Sequence, residues 1–308
     1  MGSMTPTLQG FIDLHIHSNC SDGAFSATEL VDQAIVQELT TIAIADHDSV
    51  ASVATGIAAA NLAGIENIPA VELSVQYKSF QDVHLLGYGF DHTDRGFCEK
   101  LDLLREKREH RNEEVLARVN ERLAHEGRAR IELSHVLVYA KGVIGRPHIA
   151  RALLEHGYVK SVEDAFRRYL VPCNVPKHYW PVAEAISEIR HLGGLAVLAH
   201  PTTITSDHQE LWRIITELAE IGLDGIEAFN NLALADDMEF LKRRAGEAGL
   251  LLTGGSDFHG IEAGLELGRG RGGIRFSASL LSPIRERLSE RRKYDREYNR
   301  NRASLSNC

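Results

Sequence analysis

The stretch Phe11–Gly23, FIDLHIHSNCSDG, decides how this chain is read. Phe11, Ile12, Leu14 and Ile16 supply the apolar side chains of a short buried strand. Side chains along a strand repeat every two residues, so His15 and His17 leave on the same face and two imidazoles converge on one point. Five residues after His17, Asp22 precedes Gly23 in a turn that folds a carboxylate back toward that point. An HxH pair on its own fits two core histidines as well as a metal site. The rest of the chain decides, because the same chemistry recurs at the ends of further strand-like runs.

Ser26-Ala27-Thr28-Glu29 is a capping-box pattern, and Leu30, Ala34 and Ile35 continue an apolar helix face. Thr41–Ala45 is a strand-like run ending in Asp46-His47-Asp48, which also reads as a turn with a helix cap. A helix of small residues, Val50–Ala63, closes at Gly64, and Ile68–Val71 is a third strand that delivers Glu72. Leu73–Tyr77 and Val83–Tyr88 read as a hairpin with His84 on its returning arm. Beside apolar runs, Glu72 and His84 need a partner or a metal, because a buried charge is costly alone.

From about residue 92 to 181 the texture changes to helix, with no strand expected. Leu101–Leu123 is highly charged with an apolar face at Leu104, Val115, Leu116, Val119 and Leu123, and further helices are expected at Ser134–Ala140, Ile149–Glu155 and Ser161–Leu170. This segment reads as an insertion over the mouth of a barrel formed by residues 11–91 and 182–290. Its loops Gly145-Arg146-Pro147-His148 and Pro176-Lys177-His178-Tyr179-Trp180 place cations and imidazoles near aromatic surface. Solvated surface charge is the competing reading of Arg146 and Lys177. Alternation then resumes: helix Val182–His191, strand Leu195–Ala199 with His200-Pro201 just beyond it, helix Gln209–Ile221, strand Gly225–Phe229, helix Asp236–Ala248 and strand Leu250–Thr253. Glu227 and Asn230 are secondary polar candidates. The last strand runs into Gly254-Gly255-Ser256-Asp257-Phe258-His259, whose small residues allow close backbone approach and whose Asp257 and His259 share a face if extended. Ser282-Pro283 opens a final helix as cap and first residue. Residues 291–308 read as a polar tail, frayed or disordered.

At 308 residues and 44% hydrophobic, the chain has the length of one barrel-sized domain or a domain with an insertion. A net charge of -9 argues against bulk affinity for nucleic acid such as duplex DNA, and an acidic surplus suits a cation site. Cys20, Cys98, Cys173 and Cys308 show no CxxC spacing and read as scattered thiols of a reducing compartment. With no apolar run of membrane-span length and no signal peptide before Phe11, a cytoplasmic protein without membrane contact is expected. Met1–Met4 resembles the remnant of an expression tag, and residues 1–10 are set aside as a tag or disordered start.

Gathered together, His15, His17, Asp22, His47, Glu72, His84, His200, Asp257 and His259 are expected at or just after the C-terminal ends of successive strands, where βα-barrels place their active sites. The set contains only nitrogen and oxygen donors, which suits Mn²⁺, Fe²⁺ or Zn²⁺. Nine such groups exceed the needs of one ion, so a site for two or three is the economical reading.

In these residues the chain resembles the PHP (polymerase and histidinol phosphatase) metallophosphoesterases. It is most similar to the stand-alone bacterial branch of 3',5'-nucleoside bisphosphate phosphatases and 5'-to-3' ribonucleases. The resemblance spans about Phe11 to Phe276 and rests on DLHIHSNCSDG, IADHD, AVELS, the His84 strand, LAHP and GGSDFHG. It implies a distorted (βα)7 barrel with an α-helical insertion, and a trinuclear metal centre, manganese first among the candidates, with Glu72 as bridging carboxylate. It also implies phosphate-ester hydrolysis by a metal-activated hydroxide held by Asp22, Glu72 and Asp257. His148 or His178 is the candidate acid, and Arg146, which matches a family arginine, is the candidate for a second phosphate, with Lys177 and His178 beside it. Two stretches depart from the pattern: Thr202-Thr203 follow His200-Pro201 where relatives carry Gly-Arg, and Asn230-Asn231 stand where a Ser-His pair is often seen. The expected substrate is small and phosphorylated, a nucleotide or short RNA. Histidinol phosphate and cyclic phosphodiesters stay open as substrates, and an amidohydrolase or a non-catalytic PHP module as remoter readings.

Overall fold

The computed structural model describes residues 9–138, 144–262 and 264–305, with side chains through Lys293. In chain order the elements begin β1 (Phe11–Ile16), α1 (Ala27–Val36), β2 (Leu39–Ile44), α2 (Val53–Ala63), β3 (Glu66–Asn67), β4 (Ala70–Tyr77) and β5 (Phe80–Tyr88). A helical stretch follows with α3 (Arg95–His125), α4 (Leu133–Leu137), α5 (Arg146–Glu155) and α6 (Val162–Ala165). The chain then continues through β6 (Trp180–Pro181), α7 (Val182–His191), β7 (Leu195–Leu198), α8 (His208–Glu220), β8 (Gly225–Phe229), α9 (Ala235–Ala248), β9 (Leu251–Gly254), β10 (Phe276–Ser277) and α10 (Leu281–Leu305).

Two hydrogen-bonded sheets run β10-β1-β2-β3 and β6-β4-β5-β7-β8-β9. They meet at two seams, a His47–Glu72 bridge from the end of β2 to β4 and an Ile16–Phe258 bridge from β1 to the continuation of β9. Thus β1, β2, β4, β5, β7, β8 and β9 follow one another around a distorted barrel. Within this ring β5 runs against its neighbours, pairing antiparallel with both β4 and β7, and β10 is added antiparallel to β1. Both seams carry candidate ligands: His47 and Glu72 form one, and His17 donates its N–H to Phe258 O at 2.9 Å beside the other.

The period of two along the strands sorts side chains between layers. On β4, Val71, Leu73 and Val75 face outward into a core shared with Ile186 and Ile189 of α7 and Ile214 and Leu218 of α8. Glu72 and Ser74 therefore point inward. Inside the barrel, Leu14, Ala43, Leu86 and Val197 form a floor closed from below by Leu281, Ile284 and Leu288 of α10. Each fully buried Leu or Ile there contributes about 1.5–3 kcal/mol, enough to fix the strands that carry the polar layer above. The helical stretch has an apolar core of its own, with Val115, Val119 and Leu123 of α3 packed on Ile149 and Leu153 of α5 and on Tyr169.

Several boundaries differ from the sequence reading. Ile68–Val71 and Leu73–Tyr77 are not separate strands, since β4 runs through Glu72; a carboxylate inside an apolar run looks like a break, yet its face is the polar interior. Glu72 and His84 consequently lie within strands, not beyond strand ends, and the pairing of Ser74 with His84 and of Glu72 with Leu86 makes them diagonal neighbours on one face of the hairpin. α2 starts at Val53, later than Val50, because Ser49 and Ser52 belong to the loop that serves Asp46 and its neighbours. α3 begins at Arg95, where the Asp94 side chain accepts from Phe97 N at 2.8 Å. A strand does occur before α7: β6 pairs in parallel with β4. The expected Ser161–Leu170 helix is α6 followed by a π-turn at Phe166–Leu170. The helix expected at Ser134–Ala140 is the shorter α4, and residues 139–143 lie outside the described residues. α10 begins at Leu281, its entry set by Ser277 capping the turn Ala278–Leu280. It then continues to Leu305 through the stretch read as frayed, whose many Arg, Glu and Lys residues are good helix formers. The tag-like start, residues 1–8, and residues 306–308 lie outside the described residues.

Candidate metal centre

All nine expected ligands meet at the mouth of the barrel, with Glu72 at the centre. Its Oε2 lies 3.2 Å from His15 Nε2, 3.2 Å from His17 Nε2 and 3.0 Å from His47 Nδ1. Its Oε1 lies 2.9 Å from His84 Nδ1 and 3.1 Å from His200 Nε2. One carboxylate thus faces five imidazoles, split between its two oxygens. Asp257 Oδ1 closes on the first side, 3.4 Å from His15 Nε2 and 3.1 Å from His17 Nε2. Asp22 extends the cluster, 3.4 Å from His259 Nε2 and 3.6 Å from His47 Nε2. Three groups have donor atoms close enough to share an ion: His15, His17, Glu72 and Asp257; His47, Glu72 and His84; and His17, Asp22, His47 and His259.

The chemistry of these donors fits cations. His17 Nδ1, Asp22 Oδ1, His47 Nδ1, Glu72 Oε2 and His84 Nδ1 are buried without a hydrogen-bond partner, whereas buried polar atoms are normally satisfied. In the protein alone the cluster can balance itself only by protonation. Burial opposes charge on His17, yet the carboxylates of Asp257 and Glu72 beside it raise it to about 10. Burial likewise opposes charge on Glu72, but His15, His47 and His84 hold its carboxyl well below the usual range. His84 goes the other way: burial pushes it down to about 4 despite Glu72. Divalent cations supply the positive charge that these carboxylates otherwise draw from imidazolium.

The backbone that presents the ligands is tightly specified. His200 and Asp257 take positive φ angles of 25° and 55°, which non-glycine residues rarely adopt and which cluster at functional sites. Gly255 passes so close to β1 that a Cβ there would lie 2.3 Å from His15 Cβ, and a Cβ on Gly23 would lie 2.1 Å from His17 O. Only glycine lets these two loops lie against the HxH strand.

Three buried carboxylates hold the ligands from behind. Glu227, a secondary candidate from the sequence, lies 3.0 Å from His15 Nδ1 and accepts from His200 N at 2.9 Å, so it orients ligands from two strands. Asp46 accepts from Ser18 N at 2.8 Å, from Ser18 Oγ and Ser21 Oγ at 2.7 Å each, and from Ser52 Oγ. Asp13 accepts from Ser256 N at 2.9 Å, Ser256 Oγ at 2.5 Å and Gly268 N at 2.7 Å, tying β1 to the Asp257 loop. Asp13 was missed in sequence because it reads as one polar residue inside a strand. Arg108 was also missed: it donates from α3 to Asp48, next to His47, and to Ser74 Oγ at 3.1 Å, but in sequence it is one cation in a charged helix.

The expected substrate contacts are less uniform. Arg146 is half-buried at the start of α5, its guanidinium carbon 5.8 Å from the Phe166 ring centre, and no carboxylate pairs with it among the described residues. Lys177 is paired with Asp82 at 3.1 Å, and burial and then Arg108 lower its ammonium. His148 accepts from Gly145 N through Nδ1 at 2.9 Å, and burial lowers its pKa while Asp22 works in the opposite sense. His178 is exposed, and no hydrogen bond, ion pair or ring contact joins it to the cluster among the described residues.

Fold and cluster together define a metal-dependent hydrolase built on a distorted βα-barrel. The chain belongs to the PHP domain family, which matches residues 13–225. It is 33% identical over 270 residues to a 3',5'-nucleoside bisphosphate phosphatase of Chromobacterium violaceum, covering 83% of this chain and 90% of that one. It is 32% identical over 263 residues to a 5'-3' exoribonuclease of Haemophilus influenzae, covering 83% and 93%. Among solved structures, one described as a metal-dependent phosphoesterase from Bifidobacterium adolescentis superposes with a TM-score of 0.76 at 28% identity, covering 90% of this chain and 96% of that one. The chain is a metal-dependent phosphoesterase. No helix among the described residues is long and apolar enough to cross a membrane.

Proposed function

We propose that His15, His17, Asp22, His47, Glu72, His84, His200, Asp257 and His259 hold two or three divalent cations, Mn²⁺ first among them. We propose further that the enzyme hydrolyses a phosphate ester of a nucleotide, either in a 3',5'-nucleoside bisphosphate or at the 5' end of a short RNA. The observation that carries the reading is Glu72, one buried carboxylate whose two oxygens face separate sets of imidazoles. The names of the two relatives supply the substrate class. An amidohydrolase reading calls for a lysine bridge. Here the bridging position is Glu72, and no lysine contacts the cluster among the described residues.

When bound, the cations lower the pKa of water and neutralise phosphate oxygens. The remaining work falls to this chain's residues. Glu227 and Asp46 keep the imidazoles and loops in one orientation, so no reorganisation accompanies the reaction. The described part of the helical stretch between β5 and β6 caps the mouth and brings Arg146, whose guanidinium pairs with no carboxylate among the described residues and so retains its capacity for a second phosphate. Because Nδ1 of His148 accepts from the backbone, its neutral ring carries the proton on Nε2 and serves as a hydrogen-bond donor to substrate, not as a charged acid.

Hydrolysis of a panel, followed by chromatography of the products, tests the reading: a 3',5'-nucleoside bisphosphate, a 5'-phosphorylated short RNA, histidinol phosphate, a cyclic phosphodiester and an aryl phosphate, each with Mn²⁺, Fe²⁺ or Zn²⁺. The expected result is a kcat/KM highest for the first two. A preference for histidinol phosphate or the cyclic diester overturns the substrate assignment. Hydrolysis unaffected by chelator overturns the chemistry.

A further inference from the structure

One turn of α3 touches every part that the substrate site needs. Arg108, Arg111 and Asn112 stand three and four residues apart and share a helix face. Arg108 reaches the barrel rim at Asp48 and Ser74. Arg111, buried, donates from Nη2 to Asn174 Oδ1 at 2.8 Å and from Nε to the carbonyl of Val175, two residues before Lys177, at 2.8 Å. Asn112, also buried, accepts from Arg111 Nη1 at 3.1 Å and donates to Ile144 O, two residues before Arg146. Three segments distant in sequence, the His47 loop, the Arg146 loop and the Lys177 loop, are thus tied to neighbouring side chains of one helix.

The position of this turn adds to the case. N-terminal to it, Phe97 and Leu101 belong to the barrel core, and C-terminal to it, Val115 and Val119 belong to the core of the helical stretch. The turn is the polar joint between two apolar cores. Its Arg111 makes no ion pair among the described residues: carbonyl and amide oxygens accept from Nε, Nη1 and Nη2 and leave its charge in place, opposed by burial and then by the charge of Arg146. An aliphatic residue would serve a purely structural joint at lower desolvation cost.

We infer that Arg108, Arg111 and Asn112 form a positioning joint that sets the two cationic loops of the cap in register with the metal centre, and thereby selects substrates carrying a second phosphate. This rests on the proposed role of Arg146 at that phosphate. Arg111 and Asn112 are positioning residues: they act through Ile144 and Val175 on Arg146 and Lys177 and touch no substrate.

The test compares Asn112→Asp, Arg111→Lys and Arg146→Ala with the unaltered enzyme, on a 3',5'-nucleoside bisphosphate and on an aryl phosphate. Metal content and melting temperature are recorded for each. Asn112→Asp keeps the acceptor for Arg111 and loses the donor to Ile144; Arg111→Lys keeps the charge and loses the fork. Each is expected to raise KM for the bisphosphate by about tenfold or more, with the aryl phosphate KM changing far less and metal content unchanged. A bisphosphate KM within about twofold of normal in both variants, while Arg146→Ala still discriminates between substrates, overturns the joint and leaves Arg146 standing. If Arg146→Ala itself shows no difference between substrates, the second-phosphate site fails and the joint fails with it. A bisphosphate KM within about twofold of normal in Arg111→Lys, with Asn112→Asp impaired, overturns positioning by Arg111 in favour of its charge alone. If Arg111→Lys does not fold, Asn112→Asp decides by the same criteria.

Discussion

Glu227 offers the sharpest single perturbation of the metal centre, because it is fully buried and touches no expected substrate position. Glu227→Gln preserves shape and removes charge. In the native protein one oxygen lies 3.0 Å from His15 Nδ1 and the other accepts from His200 N at 2.9 Å, so the carboxylate serves two donors at once. An amide has one oxygen, and whichever donor faces its NH₂ group loses its acceptor. One charge-assisted bond in a dry site contributes about 1.5–3 kcal/mol. That matches the ten- to hundredfold loss of metal affinity typical of removing a group that orients a ligand. Glu227→Ala removes both bonds and leaves the His200 N–H unsatisfied at a strained φ, so its loss should exceed that of Gln. Competition for Mn²⁺ against a chelator measures the affinity, and a melting curve of the metal-free protein separates it from folding. Wild-type affinity in both variants would refute the reasoning.

His17→Ala and Asp257→Asn should each abolish turnover while the chain stays folded; near-normal kcat for both at saturating Mn²⁺ contradicts the ligand assignment. Gly255→Ala should cost metal affinity as much as losing a ligand, since its Cβ displaces His15, and unaltered Mn²⁺ titration in that variant counts against the close approach. Asp46→Ala strands four donors in the interior and should destabilise the fold by about 3–5 kcal/mol by denaturant unfolding, with a loss under about 1 kcal/mol arguing that the network is dispensable. In metal-free protein, His17 is raised to about 10, so its stabilising contribution is complete below the unfolded histidine value of about 6.5 and fades as pH rises toward 10. Glu72 and Asp22 are depressed, so theirs is present above about pH 4 and fades below it. Melting temperature of the chelated protein should therefore fall between about pH 6.5 and 10, and a flat profile there contradicts the sign.

Most of the clustered histidines and carboxylates were legible because their signals are local. His15 and His17 share a face through strand period alone, and His47, His200 and Asp257 follow apolar runs. Glu72 and His84 were singled out by burial chemistry but expected in the wrong local geometry, since a carboxylate on the inner face of β4 looks like an interruption in the chain. The closure of the barrel depends on two single bridges between distant segments, which no local pattern encodes. Residues that work from behind the ligands were harder still. Asp13 looks like a stray polar residue in a strand, and its partners Ser256 and Gly268 lie more than 240 residues away. Arg108 and Arg111 are indistinguishable in sequence from solvated charges on a 31-residue polar helix, because their roles come from which face docks.

The central claim is that one buried cluster holds more than one cation, and elemental analysis of chelator-free protein after reconstitution with Mn²⁺ tests it most directly. More than one equivalent of transition metal per chain, reduced in Glu72→Ala, is the predicted result, because Glu72 alone faces both sets of imidazoles. A content near zero after reconstitution would contradict the account.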